Sequence, residues 1–208
     1  MIGRELTRPF VGALVAIVIV CQRPALSHDQ GSLIEKGSPR RQTYLRIDDF
    51  SLKDHSGNAF SFRTLREKVV LVGFIYTTCP DVCPLITASM RLVQEGLRPD
   101  ERKLVHLLSV TTDPEVDTPE VLKSYAQRYK ADFSNWSFLT GDLPSLSGVW
   151  KAFGVKVQRK ARGLVSHTTL TVVVDQKGVM RFAYYGVSPD QKMILRDLRS
   201  LLDKKGGL

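Results

Sequence analysis

The sequence predicts an α/β domain: a central mixed sheet with helices on both faces and an N-terminal β-hairpin. Three observations predict it. Val69–Tyr76 and Leu104–Val110 are almost wholly apolar, as strands covered on both faces are. A helical pattern separates them, so they belong to a crossover unit with a parallel pairing. Thr168–Val174 and Val179–Tyr185 flank the turn sequence DQKG (Asp175–Gly178), which adds an antiparallel pair.

The elements follow in order along the chain. Phe50–Asp54 and Ala59–Phe62 flank His55–Asn58, a Gly-Asn turn, and form the predicted N-terminal hairpin. After the strand Val69–Tyr76, Leu85, Ala88, Leu92 and Val93 recur on one side of a helix from Pro84 to about Glu95. The strand Leu104–Val110 precedes a helix opened by Thr118-Pro119-Glu120, with a capping threonine and proline at the first helical position. Pro144–Phe153 is a shorter helix, and Pro189–Leu202 is a closing amphipathic one. No internal repeat or low-complexity tract interrupts the order.

With 208 residues, 43% hydrophobic and 25% charged, the chain is long enough for one domain with a substantial core. Three cysteines are too few for a disulfide-built scaffold. The formal net charge of +9 suits nucleic acid, an anionic membrane surface or an acidic protein, and does not choose among them. Dinucleotide, P-loop, esterase and zinc-protease signatures are all missing.

The N-terminus chooses a compartment. Arg4 and Arg8 precede the apolar run Phe10–Cys21, whose 12 residues would make a helix of about 18 Å against a hydrocarbon core of about 30 Å. Residues 1–27 therefore read as a signal peptide, with Ala25 and Ser27 placed for cleavage after Ser27. An uncleaved anchor and lipid modification of Cys21 are the alternatives. Each exports the domain to the periplasm or the outer face of an inner membrane, with membrane association if the segment is retained. Export sets nucleic acid aside as a partner and permits disulfide chemistry. Residues 28–43 are polar, with Gly31, Gly37 and Pro39, and read as a tether; the domain then runs from Tyr44 through residue 208.

Cys79 and Cys83 lie between the most buried strand and the next helix, at the carboxyl end of the sheet where α/β sites are placed. Four residues apart at a helix start, they can form a disulfide or hold a soft metal as two thiolates. Copper needs at least a third ligand. His28 begins the tether, His55 sits in a surface turn and His106 lies inside a strand. His167 stands in a polar break before a strand, a place where a histidine is more often a loop residue than a ligand. Asp81 reads as a helix-start acid, and Asp113 and Asp117 as turn caps. Lys151, Lys156, Arg159, Lys160 and Arg162 form a basic run that either faces solvent or steers an acidic domain or anionic headgroups.

The run FIYTTCPDVCP (Phe74–Pro84) resembles the metal-binding motif of the Sco (SenC) family of thioredoxin-like copper chaperones. SVTTDPEVDTPEVL (Ser109–Leu122) and SHTTLTVVVDQKG (Ser166–Gly178) resemble that family's next two signatures, in the same order. The resemblance implies a thioredoxin-like fold and one copper ion, Cu(I) or Cu(II), held by Cys79, Cys83 and His167. It also implies a role in assembling the dinuclear copper centre of cytochrome c oxidase. The partners would then be the oxidase's copper-accepting domain and an upstream copper donor. Two thiolates suit Cu(I), and an added imidazole makes the set acceptable to Cu(II).

The same thiols allow a thiol-disulfide oxidoreductase, with Cys79 and Cys83 as its redox pair, that reduces the oxidase's own cysteines, or a thiol redox sensor. The C-x3-C spacing favours metal over exchange, since thioredoxin-type exchangers use C-x-x-C.

Overall fold

The computed structural model describes residues 1–3 and 40–202. Within it, eight strands form one mixed sheet in the order β1-β10-β9-β4-β5-β6-β2-β3. They are β1 (Arg40–Arg46), β2 (Ser51–Asp54), β3 (Ala59–Ser61), β4 (Val69–Ile75), β5 (Val105–Thr111), β6 (Trp136–Thr140), β9 (Leu170–Val174) and β10 (Val179–Tyr185). Two further strands, β7 (Val157–Arg159) and β8 (Val165–His167), pair only with each other, as a small ribbon beside the main sheet. The helices are α1 (Val82–Gly96), α2 (Pro99–Leu104), α3 (Pro119–Arg128), α4 (Leu143–Phe153) and α5 (Gln191–Leu202).

Every residue of β4 and β5 is buried, which explains their unbroken apolar runs. The two pair in parallel, and β9 lies antiparallel on the other side of β4. One face of the sheet packs on α1, α3 and α5 through Ile86, Met90, Leu122, Tyr125, Ile194 and Leu198. The other face is covered by α4, with Leu146, Val149 and Phe153, and by Ile47, Phe62 and Leu65. Helices thus cover both faces, as predicted.

Besides the β7–β8 ribbon, which the sequence reading does not contain, three features differ from that reading. Strand β1 begins at Arg40, inside the segment expected to be a tether, because an edge strand needs backbone pairing with β10 more than it needs apolar side chains. Strand β6 and helix α2 fill stretches between the elements the sequence announces. His55 sits in the expected turn, but its ring is buried: it stacks on Phe133, centroids 4.1 Å apart, and its Nδ1 accepts the Phe138 amide at 3.3 Å. Pairing of β2 with β6 brings that turn over the sheet's edge.

Register also fixes where the chain enters. Arg40 pairs with Tyr184, Tyr184 with Thr171, and Thr171 with Gly73, so β1 starts at the end of the sheet where β4 finishes. The expected signal segment lies outside the described residues apart from its first three. Among the described residues no helix is long and apolar enough to cross a membrane.

Candidate metal centre

Strand β4 ends at Ile75, and the chain turns through Tyr76–Asp81 into α1. That turn is built by hydrogen bonds rather than by glycine. The Cys79 amide donates to the Tyr76 carbonyl at 3.3 Å, and the Tyr76 amide donates to Cys83 Sγ at 3.4 Å. The Cys83 amide, in the first turn of α1, donates to Cys79 Sγ at 3.5 Å. Both thiols therefore face the same small space, Cys83 fully buried and Cys79 nearly so.

Their acidities are pushed apart. Burial raises the Cys79 thiol, but the Cys83 and Asp81 amides, with the Cys83 and Tyr76 side chains, hold it below the ordinary thiol value. Deeper burial drives the Cys83 thiol well above that value. Burial, with Cys79 alongside, pushes the Tyr76 phenol up to about 12, so it stays a neutral donor.

His167 arrives from the far end of the sequence. As the last residue of β8 it places Nε2 3.8 Å from Cys83 Sγ, with its ring edge-on to Tyr76 at 6.0 Å between centroids. The Thr168 carbonyl lies 3.0 Å from Nδ1 and can only accept, so Nδ1 carries the proton and Nε2 presents its lone pair to the thiols. Histidine ligands are oriented by such a bond. Burial lowers the imidazole below its usual value, keeping it neutral.

The fold thus gathers Cys79, Cys83 and His167. Among the described residues no three His, Cys, Asp or Glu side chains stand at the spacing of a preformed metal cage. Asp81 is exposed and caps nothing with its side chain. His106 is buried on β5 against Ser137, away from this end.

Asp113 and Asp117 do more than cap turns. Asp117, fully buried, accepts from the Thr77 amide and hydroxyl and the Thr111 hydroxyl, fastening the pre-cysteine turn to the end of β5. Asp113 pairs with Arg159 of the ribbon. Of the basic run, Lys151, Lys156 and Lys160 are exposed. Sequence reasoning gave Tyr76 and Thr77 no role of their own in the site, and read Arg159 only as one cation of the basic run. Their place within the Phe74–Pro84 run was the one signal that could have marked Tyr76 and Thr77.

Residues 38–203 match the SCO1/SenC family model. The chain superimposes on a SCO1/SenC family lipoprotein from Bacillus anthracis with a TM-score of 0.70 and 33% identity, over 78% of this chain and 98% of that one. BsSco, described as a member of the Sco family of cytochrome c oxidase assembly proteins and studied for a disulfide switch, gives 0.67 and 31% over 77% and 95%. Bradyrhizobium japonicum ScoI, solved with copper bound, gives 0.65 and 25% over 75% and 99%.

Proposed function

The chain belongs to the SCO1/SenC family and has its thioredoxin-like fold, and on that premise we propose that it is a copper metallochaperone. It would take one copper ion as cargo on Cys79, Cys83 and His167 and help assemble the dinuclear copper centre of cytochrome c oxidase. The observation that carries the reading is the approach of His167 Nε2 to Cys83 Sγ, with Nδ1 bonded to a backbone carbonyl. An imidazole oriented in this way beside two thiols is a soft donor set suited to copper.

In this reading the residues divide the work. Cys79, whose thiol is the more acidic, is the first to give up its proton and meet the ion. Cys83 gives up its proton only as the metal replaces it, so loading a Cu(I) ion releases two protons. His167, neutral, needs to lose none. The oxidase's copper-accepting domain is the proposed partner, with a donor upstream. The exported location is supported by the N-terminal apolar run and by the description of the Bacillus anthracis relative as a lipoprotein.

One observation favours a second use of the same thiols. A more acidic, slightly exposed Cys79 beside a buried, weakly acidic Cys83 is the asymmetry of an attacking and a resolving cysteine. Reduction of a partner disulfide would leave Cys79 and Cys83 joined by a disulfide and the partner with two thiols.

Anaerobic copper titration of the reduced protein, beside His167→Ala, tests the reading. One equivalent bound with a thiolate-to-copper charge-transfer band that changes in the variant is the expected result. Weak, superstoichiometric binding indifferent to His167 would sink it and leave the oxidoreductase.

A further inference from the structure

We infer that Arg159, through its ion pair with Asp113, is the positioning residue that holds His167 against Cys83. The inference rests on the reading of His167 as a copper ligand and names what keeps that ligand in place.

The ribbon needs holding. Its strands have three residues each and pair with nothing but one another, and a lone two-stranded ribbon is marginal in water. The pairing is Val157 with His167, Gln158 with Ser166 and Arg159 with Val165. Arg159 is thus two residues from His167's partner on one strand and opposite a residue two before His167 on the other. Slipping one strand by a single residue would turn His167 to the opposite face, away from the thiols.

Packing alone does not pin the ribbon. Val165 is buried and Val157 half-buried against the body. Beside them, however, opens a cleft of about 350 Å³, bounded by Val157, Arg159 and Val165 and, across from them, by Thr112, Leu143 and Trp150. Arg159 extends from this ribbon to the loop after β5, where Nη2 meets Asp113 Oδ1 and Glu115 Oε2, the latter at 3.1 Å. The Asp113 carboxylate is wholly buried; among the described residues its Oδ2 has no partner and Arg159 is its one countercharge in direct contact. A buried carboxylate stripped of its cation is costly, and that cost keeps Arg159, and with it the ribbon's register, in place. His167 also meets Cys83, and the Val165 backbone bonds the Tyr76 phenol, but both contacts lie at the site itself and on β8, so Arg159 is the side chain that ties β7 to the loop after β5.

A loss of stability would follow from Arg159→Met whatever its role, because Asp113 would be orphaned. The test therefore pairs Arg159→Met with Arg159→Met/Asp113→Asn in the full chain, with Arg159→Lys as the variant that keeps the charge. The readouts are thermal stability, Cu(II) affinity, and hydrogen exchange of the Lys160 and Thr168 amides, which close the two ends of the ribbon on Leu164 and Lys156. The double variant should regain most of the stability lost by the single one. Its two ribbon amides should still exchange at least about tenfold faster than wild type, and Cu(II) should bind about tenfold more weakly. Arg159→Lys should retain most of the protection.

Wild-type exchange and Cu(II) affinity in the double variant would overturn the inference. If His167→Ala leaves Cu(II) affinity unchanged, the ligand reading fails instead, and amide exchange still reports whether the latch holds the ribbon.

Discussion

Asp117 binds Thr77 twice, accepting from its amide at 3.2 Å and from its hydroxyl, and so ties the turn that leads into Cys79 to a loop some forty residues away. Burial raises the Asp117 carboxyl above its ordinary value, while the hydroxyls of Thr111 and Thr77 and the Thr77 amide pull it back. Its worth therefore lies in its oxygens as acceptors more than in its charge. Asp117→Asn, which keeps one oxygen, should change stability little. Asp117→Ala orphans those donors and should cost about 2 kcal/mol, read from denaturant midpoints. Equal losses in the two variants would refute this account.

The two thiols should differ sharply toward an alkylating reagent. Cys79 retains a little exposure and a lowered thiol pKa, whereas Cys83 is sealed and hard to ionise. At pH 7, iodoacetamide should label Cys79 at least about tenfold faster than Cys83, as measured by peptide mapping of the reduced protein. Cys83→Ser should leave Cys79 reactive.

A chain beginning at Tyr44 should be markedly less stable than one beginning at Arg40. Arg40 gives two hydrogen bonds, at 2.6 and 2.9 Å, to Asp197 of α5, which is 5% exposed and otherwise holds the Tyr184 hydroxyl. The shorter chain also loses the rungs of Arg40, Arg41 and Gln42 on β10. The expected cost is about 3 kcal/mol, since removing one partner strands a buried charge. Chemical denaturation of the two chains decides it.

Acid should weaken the domain through His106. Burial, with Lys68 adding to it, lowers this imidazole from 6.5 to about 4. Above pH 6.5 the ring is neutral in both folded and unfolded chains, and its neutral burial costs nothing further. As pH falls toward 4 the unfolded chain takes up a proton that the folded one refuses, so stability falls by up to about 3 kcal/mol. His106→Val should flatten the pH dependence of the melting temperature over that range. An unchanged slope would assign the loss to other groups.

Strands buried on both faces were the easiest to read. Val69–Ile75 and Val105–Thr111 have no polar face to blur them, and their sequence runs match the strands to within a residue. Strand β1 was invisible for the opposite reason: RRQTYLR has only Tyr44 and Leu45 as apolar residues, both exposed, and stands at the sheet edge through its backbone. The ribbon strands VQR and VSH are too short to carry any period. At the site, Cys79 and Cys83 announce themselves by local spacing. His167 lies 84 residues from Cys83, and no periodicity spans such a gap. Family motifs made that link in the sequence, and β8 makes it in the structure.

The entry of the chain at Arg40 has a consequence for reach. Because β1 starts at the end of the sheet where β4 delivers the cysteines, Arg40 lies beside the business end of the domain, about 14 Å from β4 across three strand spacings. A strand laid the other way would have put Arg40 at the opposite rim, a strand's length from the thiols. Anything held at Arg40 is thereby held near the thiols.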